Sequence, residues 1–241
     1  MIVNGVALRP GHPVVLGIID NKPVLGIPGY PVSAALTADL FLRPLIETKL
    51  GVASTTPESI QAICTRKVLS PIGEDEYLRV RVGKIGEQMI ITPIQRGAGV
   101  TMSMVKADGI VKSPRFSEGL DIGSEATVDL LRPLKHIQNT VLVTGSHDVS
   151  LDLLSSESHR INPNRFMTSS NVGSLGGLLT LGRGESHIAG CHLLDEKTGE
   201  YNLPFVRKYL KNRSVTVINL VQRVQGLIVP AGNPKSIEAL S

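Results

Sequence analysis

The chain has 241 residues, 41% of them apolar and 19% charged, proportions that exclude general disorder. Its formal charge of +4 comes from 25 Lys and Arg spread without a dense basic run or interleaved aromatics, which argues against a nucleic-acid-binding surface. No apolar stretch reaches the ~18 residues of a membrane span, and Met1 to Pro10 lack the features of an export signal, so a cytoplasmic protein is expected.

With no Trp, the core has to rest on Val, Ile and Leu. Cys64 and Cys191 are far apart in segments of different character. They predict neither a disulfide framework nor a zinc site, and a reducing compartment fits them.

From Pro13 to about Ile46 the pattern is strand, turn, strand, loop, helix. The runs Val14 to Ile19 and Val24 to Ile27, separated by Asp20-Asn21-Lys22, read as a hairpin. Pro28-Gly29-Tyr30-Pro31-Val32-Ser33-Ala34 then makes a rigid turn into a helix with Val32, Leu36, Leu40 and Phe41 at helical spacing, and Pro44 is expected to end or kink it.

From about Ser59 to Leu131 short strands alternate with Gly and Pro punctuation, including Tyr77 to Gly83, Met89 to Ile94 and Glu125 to Leu131. This predicts a small β-barrel or sandwich. Arg79 and Arg81 read as one solvated strand face, Asp108-Gly109 as a turn, and Leu131 to His136 as an exit linker.

From Val141 onward the chain reads as α/β with a mainly parallel sheet. Val141-Leu142-Val143 leads through Thr144-Gly145-Ser146-His147-Asp148 into a helix, and Asn171 to Gly177 opens a second. His187 to Gly190 and Ser214 to Leu220 are expected strands.

Two places carry candidate chemistry. Arg9-Pro10-Gly11-His12-Pro13, followed by the Pro28 to Ser33 loop at a helix start, can cradle an anion on free backbone amides, with Arg9 adding a forked cation. The alternative is a Pro-Gly turn with Ser33 as an ordinary cap and Arg9 as a surface charge. In the last segment, Ser146 and Ser174 sit at strand-to-helix turns rich in glycine, where binding proteins place groups around an oxyanion. Close helix-to-sheet packing is the alternative use of those glycines. His147, His187, His192 and Asp195 lack ligand spacing on one helix face, so no metal site is expected, and His187 reads as a structural histidine.

The run from Leu8 to Ile46 resembles the end of the molybdopterin-binding domain of the molybdopterin molybdenumtransferase family, with its Pro-Gly-Lys-Pro turn, hairpin and Gly-Leu-Pro-Gly-Asn-Pro-Val-Ser-Ala segment. Here His12 stands where that pattern has Lys, and Tyr30 where it has Asn. Tyr77 to Val80, Gly97-Ala98-Gly99, Met104 to Ile110 and Gly119 to Gly123 are similar to the family's small C-terminal β domain. The runs Gly145 to Asp148, Val172 to Leu178, Gly184 to Asp195, Thr198 to Asn202 and Arg223 to Val229 resemble a periplasmic-binding-protein-like domain found fused behind such transferases.

The resemblance implies a mixed, multi-domain chain. Residues 1–48 would be the α/β remnant of a molybdopterin-binding domain, 49–135 a small β-barrel domain, and 141–241 the first part of a binding-protein-like α/β lobe. It implies a partial chain, since the family's Gly-Gly-x-Ser and Thr-Gly-Asp-type segments are absent. The implied function is molybdenum-cofactor biosynthesis, by insertion of molybdate into adenylated molybdopterin with Mg2+, in a homodimer joined through the transferase part.

Arg9, Pro10, Gly11, Pro28, Gly29, Tyr30, Pro31 and Ser33 would contact molybdate or cofactor, and Ser146, His147, Asp148 and Ser174 a ligand of the last domain. No catalytic residue is expected within these residues. The other reading is a cytoplasmic oxyanion- or pterin-binding module without catalysis of its own.

Overall fold

The computed structural model describes residues 1–94, 96–97, 99–222 and 226–238. At the N-terminus β1 (Val3–Asn4) lies outside a hairpin, and β2 (Leu8–Arg9) pairs elsewhere. The hairpin of β3 (Val15–Ile19) and β4 (Lys22–Gly26) has its last pair at Ile19 and Lys22. Asp20 and Asn21 between them take φ values of 50° and 61°, as a two-residue turn with both positions left-handed requires.

A continuous helical run follows, made of α1 (Pro31–Thr37), a π-helical turn (Ala38–Leu42) and α2 (Arg43–Leu50). Pro44 does not end it, contrary to expectation. The Arg43 N–H reaches back to the Ala38 carbonyl, so the coil widens just ahead of the proline, which enters in the first turn of α2 where its missing N–H has least consequence. Gly51, with φ 67°, closes the run in the left-handed region.

The middle of the chain forms a closed barrel. Its strands are β5 (Ser59–Cys64), with β6 (Val68–Leu69) in a side ribbon, then β7 (Asp75–Ile85) and β8 (Gln88–Pro93). After α3 (Thr101–Lys106) come β9 (Gly109–Ser113), β10 (Gly119–Leu120) paired with β6, and β11 (Glu125–Leu130). The order β7-β8-β5-β11-β9 closes because β7, eleven residues long, pairs with β8 along its second half and β9 along its first.

Inward positions alternate along each strand: Leu78, Val80 and Val82 on β7, Ala62 and Cys64 on β5, and Ala126, Val128 and Leu130 on β11. A Cβ on Gly109 would collide with Val128 Cγ1, so the close approach of β9 to β11 needs glycine there. β2 joins the outside of β7 in parallel, with Leu8 opposite Asp75 and Arg9 opposite Glu76.

Three expectations for this region are corrected. Arg79 is buried rather than solvated: residues 94–107 cover the outer face of β7, and Arg79 Nη2 donates to the Gly97 carbonyl at 3.3 Å while Nε has no partner. Asp108 is not a turn residue; its buried carboxylate accepts from the Val82 N–H at 3.1 Å and pairs with Arg132 Nε at 3.2 Å. The exit linker is a helix, α4 (Leu134–Gln138), whose Ile137 is 2% exposed and plugs the barrel core.

The last unit is a three-stranded parallel sheet in the order β13-β12-β14. β12 (Thr140–Gly145) leads to α5 (Val149–Ile161), β13 (Phe166–Asn171) to α6 (Ser174–Arg183), and β14 (Ile188–Gly190) to the short α7 (Leu203–Tyr209). The order reverses beside β12, which makes the C-terminal ends of β12 and β14 the crevice of an open α/β sheet.

Ser214 to Leu220 is not a strand. It pairs with no described strand, and Val217 and Ile218 are exposed. A β-branched run without a hydrogen-bonding partner has propensity but no ladder. Ala98 and Arg223 to Gln225, quoted in the sequence motifs, lie outside the described residues. Among the described residues no helix is long and apolar enough to cross a membrane.

Candidate functional site

The first candidate cluster joins the N-terminal unit to the barrel. β2 brings Arg9 alongside Glu76, with Nε 4.0 Å from Oε1. Glu76 is 3% exposed and is also held by Ser70 Oγ, which donates to Oε2 at 2.6 Å, and by Arg96 Nη1 at 3.5 Å. Pro10 and Gly11 turn the chain back onto α1, where a Cβ on Gly11 would stand 2.8 Å from Thr37 Cγ2. His12 Nδ1 lies 3.3 Å from Glu74 Oε1.

Pro28 and Gly29 lead into the helix start. Tyr30 occupies the N-cap without a side-chain cap bond, Pro31 stands in the first turn, and Ser33 is buried inside the helix, where its carbonyl accepts from Thr37 Oγ1 at 2.8 Å. The first-turn amides are therefore left without a capping side chain, which is the arrangement an anion can use. Arg9 faces Glu76, while Gly11 contacts the opposite end of α1 from that amide cluster.

The second cluster lies at the C-terminal edge of the parallel sheet. Ser146 N–H donates to the Gly190 carbonyl at 2.8 Å, and Ser174 Oγ accepts from His192 N–H at 3.0 Å, so both candidate serines are tied to the chain leaving β14. Asp148 caps α5 by accepting from Ser150 N–H at 2.9 Å, and His147 is exposed beside it.

The glycines here are packing residues. A Cβ on Gly177 would stand 2.6 Å from Gly145 Cα, and one on Gly145, φ 124°, would run into the Gly190 carbonyl. His187 accepts from Leu142 N–H through Nδ1 at 3.0 Å and bonds the Lys84 backbone, and burial of the ring nitrogens lowers its pKa. It joins sheet to barrel as a structural histidine. Among the described residues no three His, Cys, Asp or Glu side chains are placed to hold a metal ion.

A third place was not legible in the sequence. Between the barrel and the last unit lies a cleft of about 330 Å³ whose lining includes Arg81, Arg132, Arg165, His136 and Thr168. Burial there lowers the Arg81 pKa, against the opposing effect of Asp108, and burial raises that of Asp108 itself. Alternation along β7 points to Arg81 facing outward from the barrel. No local signal reports that another unit covers it.

A closed five-stranded barrel followed by a parallel α/β unit defines a modular chain, and comparisons with known proteins identify both modules. Residues 61–131 match the model of the MoeA C-terminal region (domain IV), and residues 155–241 match the PBP superfamily domain. The chain thus joins a MoeA C-terminal domain to a PBP-like domain.

Among curated proteins it is similar to one named for molybdopterin biosynthesis from Methanocaldococcus jannaschii, 36% identical over 133 residues, covering 55% of this chain and 30% of that protein. It also resembles the uncharacterized protein YvgK of Bacillus subtilis, 36% identical over 41% of this chain and 31% of that one. Molybdopterin molybdenumtransferase 2 of Mycobacterium tuberculosis is 31% identical over 31% of this chain and 18% of its own length. The matches span less than a third of these relatives.

Proposed function

We propose that this chain serves molybdenum-cofactor biosynthesis as part of a molybdopterin molybdenumtransferase, the enzyme type that inserts molybdate into adenylated molybdopterin and releases AMP. The observation that carries the reading is the closed barrel, whose residues 61–131 match the MoeA C-terminal region. The proposed division is 1–48, 49–135 and 141–241.

Within these residues, Arg9 and the Pro28 to Ser33 helix start are the proposed contacts to molybdate or cofactor. Their role is electrostatic, through a guanidinium and unpaired amides directed at an oxyanion. Magnesium belongs to the implied reaction, but the described residues offer no carboxylate cage for it, and no step here runs through it. A cytoplasmic homodimer, with no nucleic acid or membrane partner, completes the proposal.

The alternative is an oxyanion- or pterin-binding module. The crevice at the C-terminal ends of β12 and β14, with Ser146 and Ser174 beside it, favours this for the last unit. Incubation with adenylated molybdopterin and molybdate, with calorimetry of each alone, tests both readings. Retention of the adenylated pterin supports the transferase role; heat with molybdate and no pterin retention supports the module. No association with either removes both.

A further inference from the structure

The cleft between barrel and α/β unit contains positive charge that the protein does not use. Arg81 is partly buried, yet among the described residues its guanidinium makes no hydrogen bond, and the Arg165 guanidinium at the rim makes none either. Arg132 is partly committed: Nη2 donates to the Val105 carbonyl at 2.6 Å, and Nε lies 3.2 Å from Asp108 Oδ1. Asp108 is the acidic residue on the lining, against three arginines, and is already engaged by Arg132 and the Val82 N–H.

A second observation is independent of charge. Thr168, 9% exposed, borders the cleft, and its Oγ1 is buried without a hydrogen-bond partner. Leaving a polar group unpaired costs about 1–3 kcal/mol. An uncommitted guanidinium held partly out of water adds to that cost, and an anion in the cleft would relieve it.

The opposite wall is apolar. The Phe166 ring lies between two histidine rings, 4.6 Å from that of His136 and 5.3 Å from that of His159, with Ile137 and Met167 beside it. At about 330 Å³ the cleft lies within the usual range for small organic ligands.

We propose that this cleft binds a small organic phosphomonoester, with its dianionic phosphate on Arg81, Arg132 and Arg165 and its organic part against Phe166. Guanidinium forks match phosphate oxygens in geometry as well as charge. The site is separate from the Arg9 and Ser146 clusters and does not depend on the proposed function.

The test is titration calorimetry of the whole chain with phenyl phosphate, inorganic phosphate and phenol. Phenyl phosphate is expected to bind one to one, at least tenfold more tightly than inorganic phosphate, with phenol silent. Arg81→Gln and Arg165→Gln should each weaken it on the order of tenfold, the effect of losing a charge-assisted contact. Arg165 is exposed, so its variant keeps the test valid should Arg81→Gln not fold. Thr168→Val should weaken binding a few-fold without lowering Tm, which separates a ligand contact from a structural hydroxyl. No binding, equal affinity for phenyl phosphate and the inorganic ion, or binding untouched by both arginine variants would overturn the proposal. None of these outcomes involves molybdate or pterin, so failure here leaves the proposed function standing.

Discussion

Leu142 of β12 lies directly over Gly83 of β7, so close that a Cβ on the glycine would stand 2.8 Å from Leu142 Cγ and closer still to Cδ1. This contact seats the α/β unit on the barrel, and Leu142 is 8% exposed. Gly83→Ala should destabilise the protein by about 1–3 kcal/mol through overpacking, and Leu142→Ala by about 2–5 kcal/mol through the cavity it leaves. The double variant should cost less than the sum. Additive losses in chemical denaturation would show that the two residues do not bear on each other.

Ile137 closes the barrel from outside the strands and is 2% exposed. Ile137→Ala should lower stability by about 2–5 kcal/mol, although a reading of 131–136 as linker would expect almost none. Equilibrium urea unfolding measures this directly.

Gly177 permits α6 to touch β12, since a Cβ there would stand 2.6 Å from Gly145 Cα and 3.0 Å from the Thr144 carbonyl. Both neighbours are backbone and cannot rotate away. Gly177→Ala should cost at least about 2 kcal/mol, more than the same change at exposed Gly173, whose added Cβ meets nothing within 4 Å though its φ of 73° is strained. Thermal melts of the two variants, with the Gly177 variant the more stable, would contradict the packing role.

His187 should make stability depend on pH near neutrality. Its folded pKa lies below the ordinary 6.5, chiefly through burial, so the unfolded chain takes up a proton more readily. The contribution is therefore full above about 6.5 and is lost as pH falls through the lower, folded value. Protonation also removes the Nδ1 acceptor that Leu142 N–H uses. His187→Gln keeps an acceptor and a donor without titrating, and its melting temperature should fall less than that of the wild type between neutral and mildly acid pH. Parallel curves would count against this role.

Arg9 tests the transferase reading. In a complete parent protein, Arg9→Ala should weaken molybdate use more than pterin binding, by an amount corresponding to about 1.5–3 kcal/mol for a charge-assisted contact. Because Arg9 also lies 4.0 Å from Glu76, a stability measurement must accompany the assay. Unchanged activity at limiting molybdate would remove Arg9 from the site.

What the sequence determined by itself was whatever depends on near neighbours. Asp20-Asn21 between β-branched runs specified the hairpin, alternation along Leu78, Val80 and Val82 specified the inward face of β7, and strands punctuated by glycine-rich helix starts specified a parallel sheet. The tertiary structure decided what depends on partners distant in the chain. Ser214 to Leu220 has strand propensity but no edge to pair with, and Ile137 looks like linker until the barrel supplies a hole for it. Arg81, Arg132 and Arg165 share a cleft because the α/β unit folds back over β7. Turn conformation and side-chain period are properties of adjacent residues, whereas burial, strand pairing and the gathering of like charges are properties of surfaces that meet only once the chain has folded.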